Sequence, residues 1–200
     1  MTSPTSGPAA PWLVVGLGNP GKQYAGNRHN VGFMVADLLA RRIGAKFGRA
    51  RRAASEVAEG FMRPGGPKLV IAEPTTFMNL LGGPTANLAQ FYKIPPAQVI
   101  AVHDDLDLDY GRFKIKIGGG EGGHNGLRSI TRSLGTKEYV RVRFGIGRPP
   151  GRMDPADYVL SDFPAAQRKD LEFLVDRAAD IVESIIDQGI EVTQNRYHAE

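Results

Sequence analysis

Three short apolar runs, Trp12–Leu17 (WLVVGL), Lys68–Glu73 (KLVIAE) and Gln98–His103 (QVIAVH), constrain the fold of this chain more than any other feature. Each is continuous rather than alternating, the pattern of a strand buried on both faces, and each is too short for a helix. Two further segments alternate. Arg112–Ile117 sets Phe113, Ile115 and Ile117 on one face and Arg112, Lys114 and Lys116 on the other, while Tyr139–Ile146 sets Arg141 and Arg143 on its polar face. Both read as half-buried strands with a cationic side.

Helical spacing fills the intervals. Val31, Met34, Val35, Leu38 and Leu39 follow Asn30, which reads as an N-cap. Asn79–Tyr92 is predicted helical after an irregular start at Gly82, Gly83 and Pro84, and Asn125–Leu134 forms a further short helix. The clearest helix runs through Leu171, Leu174, Val175, Ala178, Val182, Ile185 and Ile186, with Pro164 near its start and Gly189 past its end. Strands alternating with helices predict the α/β class, a mixed sheet flanked by helices.

A length of 200 residues suits one domain. Residues 1–11 (MTSPTSGPAAP) lack periodicity and read as a disordered tail, leaving 12–200 as the single domain. The chain has no cysteine, which excludes thiol nucleophiles, disulfides and Cys-based metal sites. There is no apolar run of membrane-spanning length and no basic-then-apolar leader, so a cytoplasmic protein without membrane attachment is expected. The net charge of +4 permits a polyanionic partner without requiring one.

Several motifs mimic known chemistry. Gly16–Gly21 (GLGNPG) matches the dinucleotide fingerprint, but polar KQYAGNR follows it, and helical spacing starts only near Val31. No helix N-terminus would face a pyrophosphate, and the acidic residue expected after a second strand is missing. Asp105, Asp107 and Asp109 resemble the start of a calcium loop, yet Tyr110 and Lys116 stand where Gly and Glu are required. A solvated turn accounts for Asp107 and Asp109. Gly118–Gly126 (GGGEGGHNG) either wraps a phosphate with backbone N–H groups or forms a mobile loop. No serine occupies a nucleophile elbow.

Ligands in such sheets gather beyond the carboxyl ends of the strands. Three polar loops leave three predicted strands there: Gly18–His29, Pro74–Asn79 and Asp104–Asp109. Of the four histidines, His198 reads as inert, His103 as a packed strand residue and His124 as a local hydrogen-bonder before a helix. His29 closes a polar loop directly before Asn30 and is the candidate general base, with Asp104 as its orienting carboxylate if the two strands are neighbours. A surface residue beside a helix cap is the alternative for His29. Asn19, Asn27, Asn30, Asn79 and Asn125 crowd these loops, where amides can hold a peptide backbone or stabilise an oxyanion, or simply form turns and caps.

Five blocks carry a family resemblance: VGLGNPGKQYAGNRHNVG (Val15–Gly32), PTTFMN (Pro74–Asn79), HDDLDL (His103–Leu108), GGGEGGHNGLRSI (Gly118–Ile130) and VRFGIGRP (Val142–Pro149). In this order, and running on to NRYHA (Asn195–Ala199), they resemble bacterial peptidyl-tRNA hydrolases over nearly the whole chain. The resemblance implies a twisted mixed sheet of the phosphorylase/hydrolase-like type. It also implies hydrolysis of the ester joining a nascent peptide to the 3′ ribose of tRNA, in a monomer with no metal, organic cofactor or obligate protein partner. It makes His29 the water-activating base, Asp104 its partner and Asn19 the residue that favours N-blocked substrates. Tyr24, Phe77, Met78, Asn79 and Asn125 fall on substrate-binding positions, and Lys114, Lys116 and Arg143 on positions that contact tRNA phosphates. Asn27 and Pro84 depart from the family's commoner Thr and Lys, which bears on the tRNA grip rather than the chemistry.

Two other functions compete. A nicotinamide-dependent oxidoreductase would rest on GLGNPG alone. A non-catalytic RNA-binding protein would keep the basic strand face but would not need His29, Asp104 and Asn19 together.

Overall fold

The three continuous apolar runs become adjacent parallel strands at the centre of one sheet. A computed structural model describes residues 9–198. Its strands are β1 (Trp12–Gly16), β2 (Gly48–Arg49), β3 (Ser55–Phe61), β4 (Lys68–Pro74), β5 (Val99–Asp105), β6 (Phe113–Ile117) and β7 (Val140–Gly145), arranged as β2-β3-β4-β1-β5-β7-β6. Strands β4, β1, β5 and β7 are mutually parallel, with β3 antiparallel to β4, β2 to β3 and β6 to β7. The sheet is therefore mixed, with its parallel part innermost, where helices cover both faces.

Helices α1 (Val31–Arg42) and α5 (Ala165–Gln188) lie on one face, packed with Val14, Ile71, Ile100 and Val142. Helices α2 (Gly82–Phe91) and α3 (Asn125–Leu134) cover the other, packed with Leu13, Val15, Val70 and Ala101. Successive residues of a strand thus serve opposite cores, which is why the runs are apolar without a break. Two short helices, α4 (Pro155–Val159) and α6 (Ile190–Tyr197), complete the fold.

Several expectations need correction. Of the proposed tail, residues 1–8 lie outside the described residues; the carbonyls of Ala10 and Pro11 accept from Gln98 Nε2, in the turn before β5, at 2.8 and 3.3 Å. Ile117 is 43% exposed rather than buried, because it ends an edge strand. Arg141 is buried, not on a solvated face: the glycine-rich loop folds over it, and its Nη1 donates to the Gly120 carbonyl at 2.6 Å. His198 is not inert. Its Nε2 accepts from the Ile115 N–H at 2.8 Å, and Gln194 donates to the Ile115 carbonyl at 3.0 Å, so α6 closes the edge of β6.

One glycine contact sets up the site. A Cβ at Gly32 would lie 2.3 Å from the Val102 carbonyl oxygen and 2.4 Å from the Leu17 nitrogen. One at Gly16 would lie 2.4 Å from the Gly32 carbonyl oxygen. The first turn of α1 therefore presses directly on the ends of β1 and β5, which any side chain would prevent. The glycines of GLGNPG serve packing, and two 3-10 turns, Lys22–Tyr24 and Arg28–Asn30, separate the motif from α1.

Beside this crossing, Glu73 is pushed up to about 9, first by burial, then by the facing Asp37 carboxylate and the charge of Glu56. Its unfolded value is the ordinary 4.5, so the folded chain keeps a proton that the unfolded chain releases. Stability should therefore fall as pH rises from about 4.5 towards about 9. Glu73→Gln should remove that slope and raise the melting temperature at about pH 8 by ~2–8 °C, with little change at about pH 5. Thermal melts giving wild type and variant the same pH dependence would contradict this.

Candidate active site

The loop between β1 and α1 ends in Asn27-Arg28-His29-Asn30, and each side chain is anchored in a different direction. Asn27 Nδ2 donates to Asp162 Oδ1 at 2.8 Å. Arg28 is buried against α4, donating to Ser161 Oγ at 2.6 Å and the Tyr158 carbonyl at 3.2 Å, with its guanidinium 3.9 Å from the Tyr158 ring centroid. Asn30 does not cap α1 with its side chain, contrary to expectation. Instead it clasps the backbone of Asn19, accepting from the Asn19 N–H and donating to its carbonyl, both at 2.9 Å. His29, between these anchors, has little freedom left.

The parallel pairing of β1 with β5 brings Asp104 to His29. His29 Nδ1 lies 2.9 and 3.0 Å from the two Asp104 carboxylate oxygens. His124 reaches the same carboxylate, with Nε2 at 2.9 Å from Oδ1. Asp104 is 2% exposed, whereas the His29 side chain is 13% exposed, so the acid is sealed while the ring meets the pocket. Burial pushes the Asp104 carboxyl up, but the charges and hydrogen bonds of the two imidazoles overcome that and hold it well below the usual carboxylate range.

An ionised carboxylate only accepts, so neutral His29 carries its proton on Nδ1 and has a free lone pair on Nε2. His124 takes the opposite tautomer. Its Nε2–H faces Asp104, while its Nδ1 accepts from the N–H groups of Gly126 and Leu127 at 3.1 and 3.4 Å, making it the N-cap of α3. Nothing in the sequence around His124 signals its reach to Asp104; the glycine-rich loop before it and the cap geometry aim the ring. Burial first, then the charge of His124, lowers His103 to about 3, so it stays neutral, donating Nδ1–H to the Asp104 carbonyl at 2.8 Å.

A pocket of about 420 Å³ opens over these groups. Asn19, His29, Phe77, Met78, Asn79, Asp104 and Asn125 line it, so most of the expected site residues converge on one cavity. Asn19 Oδ1 accepts from the Met78 N–H at 2.7 Å, which fixes the amide orientation and leaves its NH2 group for the pocket. Tyr24 stands outside the lining, edge-on to the Phe77 ring at 6.3 Å between centroids. Val159 and Leu160, unforeseen from sequence, supply an apolar wall from the end of α4.

Lys114 and Lys116 project from exposed positions of β6. Arg143 lies cross-strand from Lys114, with its Nε on Asp105 at 2.7 Å. Asp107 stands in an exposed turn, as expected, and pairs there with Arg148, itself exposed. Two of the three aspartates of the calcium-like motif, Asp105 and Asp107, thus face arginines. Among the described residues, His29, Asp104 and His124 are the trio whose ligand atoms lie within 4.8 Å of one another. Those atoms are already committed to each other by hydrogen bonds, which a metal ion would have to replace.

Comparison with known proteins identifies the family. The family model described as peptidyl-tRNA hydrolase matches residues 13–200. A Frankia alni protein named peptidyl-tRNA hydrolase is 60% identical over 189 residues, covering 94% of each chain. One from Streptomyces avermitilis is 57% identical over 201 residues, covering 99% of this chain and 98% of its own. The crystal structure of peptidyl-tRNA hydrolase from Acinetobacter baumannii superposes with a TM-score of 0.87 at 31% identity, covering 97% of both chains. By the match of the family model to nearly the whole chain and by this full-length similarity, the chain belongs to the peptidyl-tRNA hydrolases, a family of ester hydrolases.

Proposed function

We propose that this protein releases peptide from peptidyl-tRNA by attack of a water that His29 activates. The observation that carries the reading is the contact between His29 Nδ1 and Asp104, which leaves Nε2 facing the pocket that Asn19 also lines. Nε2 takes a proton from water, and the hydroxide oxygen bonds to the ester carbonyl carbon. The tetrahedral intermediate collapses by breaking the bond to the ribose 3′ oxygen, which takes the proton back from Nε2. Free acid and free tRNA result. An ester needs no covalent nucleophile when water and base are held in place, so the chain's lack of cysteine and of a serine elbow is no obstacle.

Asp104 orients the ring and stabilises the imidazolium as it forms. His124 holds the far side of that carboxylate. The Asn19 NH2 group donates to a carbonyl, and this explains a preference for N-blocked substrates. A peptide offers an acceptor next to the ester, whereas a free aminoacyl group offers an ammonium, a donor facing a donor. Phe77, Met78, Asn79 and Asn125 form the walls that position the acyl chain, with Tyr24 bracing Phe77. Lys114, Lys116 and Arg143 hold tRNA phosphates along the β6 flank.

The reaction is tested with N-acetyl-aminoacyl-tRNA beside its unblocked form. The blocked ester should be cleaved selectively. His29→Ala should lower turnover by about 10²–10⁴-fold in a variant that still folds, with a lower melting temperature because the buried Asp104 carboxylate loses one of its two imidazole partners. Asp104→Asn should reduce kcat more than it raises KM. Near-normal turnover by His29→Ala would remove this histidine from the mechanism.

The phosphate grip has its own readout. Replacing Lys114 and Lys116 together by alanine should weaken tRNA binding and lower the slope of log affinity against log salt by about 1–2. An unchanged slope would return both lysines to the solvated face of the sheet.

A further inference from the structure

At the sheet edge opposite Lys114 and Lys116, on the face carrying α2, a cleft of about 540 Å³ lies between the loop of β2 and β3 and the end of α2. Lys46, Arg49, Arg51 and Arg52 line it, all exposed, and no ion pair joins them to a carboxylate among the described residues. Its one acid, Glu59, is engaged with Lys68 at 4.0 Å and with Tyr92. Phe91, 54% exposed, lies edge-to-face with Tyr92 at 4.9 Å and gives the cleft an apolar floor.

The loop that lines this cleft is tied to the loop at the active-site rim. The Thr75 N–H donates to the Ala54 carbonyl at 2.9 Å, joining the arginine loop to the loop that carries Phe77 and Met78. The turn after β4 exposes Phe77 and Leu80, and α2 continues from it to present Asn87 and Phe91 to the cleft. The ester has two arms. With tRNA on the β6 flank, the acyl arm leaves towards β2. Strand β2 is the outermost strand, paired only with β3, and an extended peptide can hydrogen-bond to such an edge as a nucleic acid strand cannot.

We propose that this cleft is the subsite for the nascent peptide and selects acidic side chains some way upstream of the ester. The proposal rests on the reaction assigned above. Three to four strand spacings separate the site on β1 and β5 from β2, roughly 14–19 Å at about 4.8 Å per strand, the reach of about four to six extended residues. Aspartate or glutamate at those places meets Arg49, Arg51 and Arg52; shorter acyl groups do not extend that far.

The test compares tRNAs carrying N-acetylated hexapeptides with aspartate, serine or lysine at the fourth to sixth places from the ester, alongside N-acetyl-aminoacyl-tRNA. For the wild type, kcat/KM should rank aspartate above serine above lysine, with about threefold to tenfold between the extremes at low salt and less at high salt. In the Arg49→Ala/Arg51→Ala/Arg52→Ala variant the ranking should collapse, while N-acetyl-aminoacyl-tRNA is cleaved as before and deacylated tRNA binds as before. Equal wild-type rates for the three peptides would overturn the proposal. So would a variant that binds deacylated tRNA more weakly, since the cleft would then hold RNA. Loss of the short-substrate reaction altogether in the wild type would instead refute the hydrolase reading, and the short substrate keeps the two failures apart.

Discussion

A carboxylate that is 2% exposed must find its hydrogen-bond donors inside the protein, and Asp104 finds two imidazoles. Removing one partner of a buried charge typically costs about 3–5 kcal/mol. That constraint orders much of the structure around it. It requires β5 beside β1, a glycine at the first turn of α1 so that His29 can approach, and a cap at α3 that points His124 inward. One acid between two rings forces them into opposite tautomers. His29 is left with a free nitrogen towards the pocket, while both nitrogens of His124 are used.

The same economy explains the loop motif. Arg28 and Asn30 have no part in the proposed chemistry, yet each fixes a part of the pocket that does. Arg28 holds α4, which provides the apolar wall; Asn30 holds the backbone of Asn19; and Asn19 in turn holds the backbone of Met78. Preorganisation of this kind lowers the reorganisation needed when charge develops on an ester carbonyl.

The centre of the sheet is legible because β1, β4 and β5 are buried on both faces, so each holds a continuous apolar run that only a buried strand of that length explains. Strands β2 and β3 carry no such signal: β2 is a two-residue edge strand, and β3, between β2 and β4, is interrupted by Glu and Gly and has weak periodicity. Alternation located Arg141 on one face of β7 but could not tell what covers that face, and the glycine-rich loop does. His29 and Asp104 stood out by their places at a loop end and a strand end. The role of His124 in the same triad depends on a contact across 20 residues that no local spacing encodes. The role of His198 is hidden for the same reason, its partner Ile115 being 83 residues away.

The most direct test of the account is ¹⁵N NMR of the histidine ring nitrogens in the wild type and in Asp104→Asn. The neutral His29 ring should carry its proton on Nδ1 and that of His124 on Nε2, and the substitution should redistribute both. Identical tautomers at the two rings, or a His29 pattern indifferent to Asp104→Asn, would contradict it.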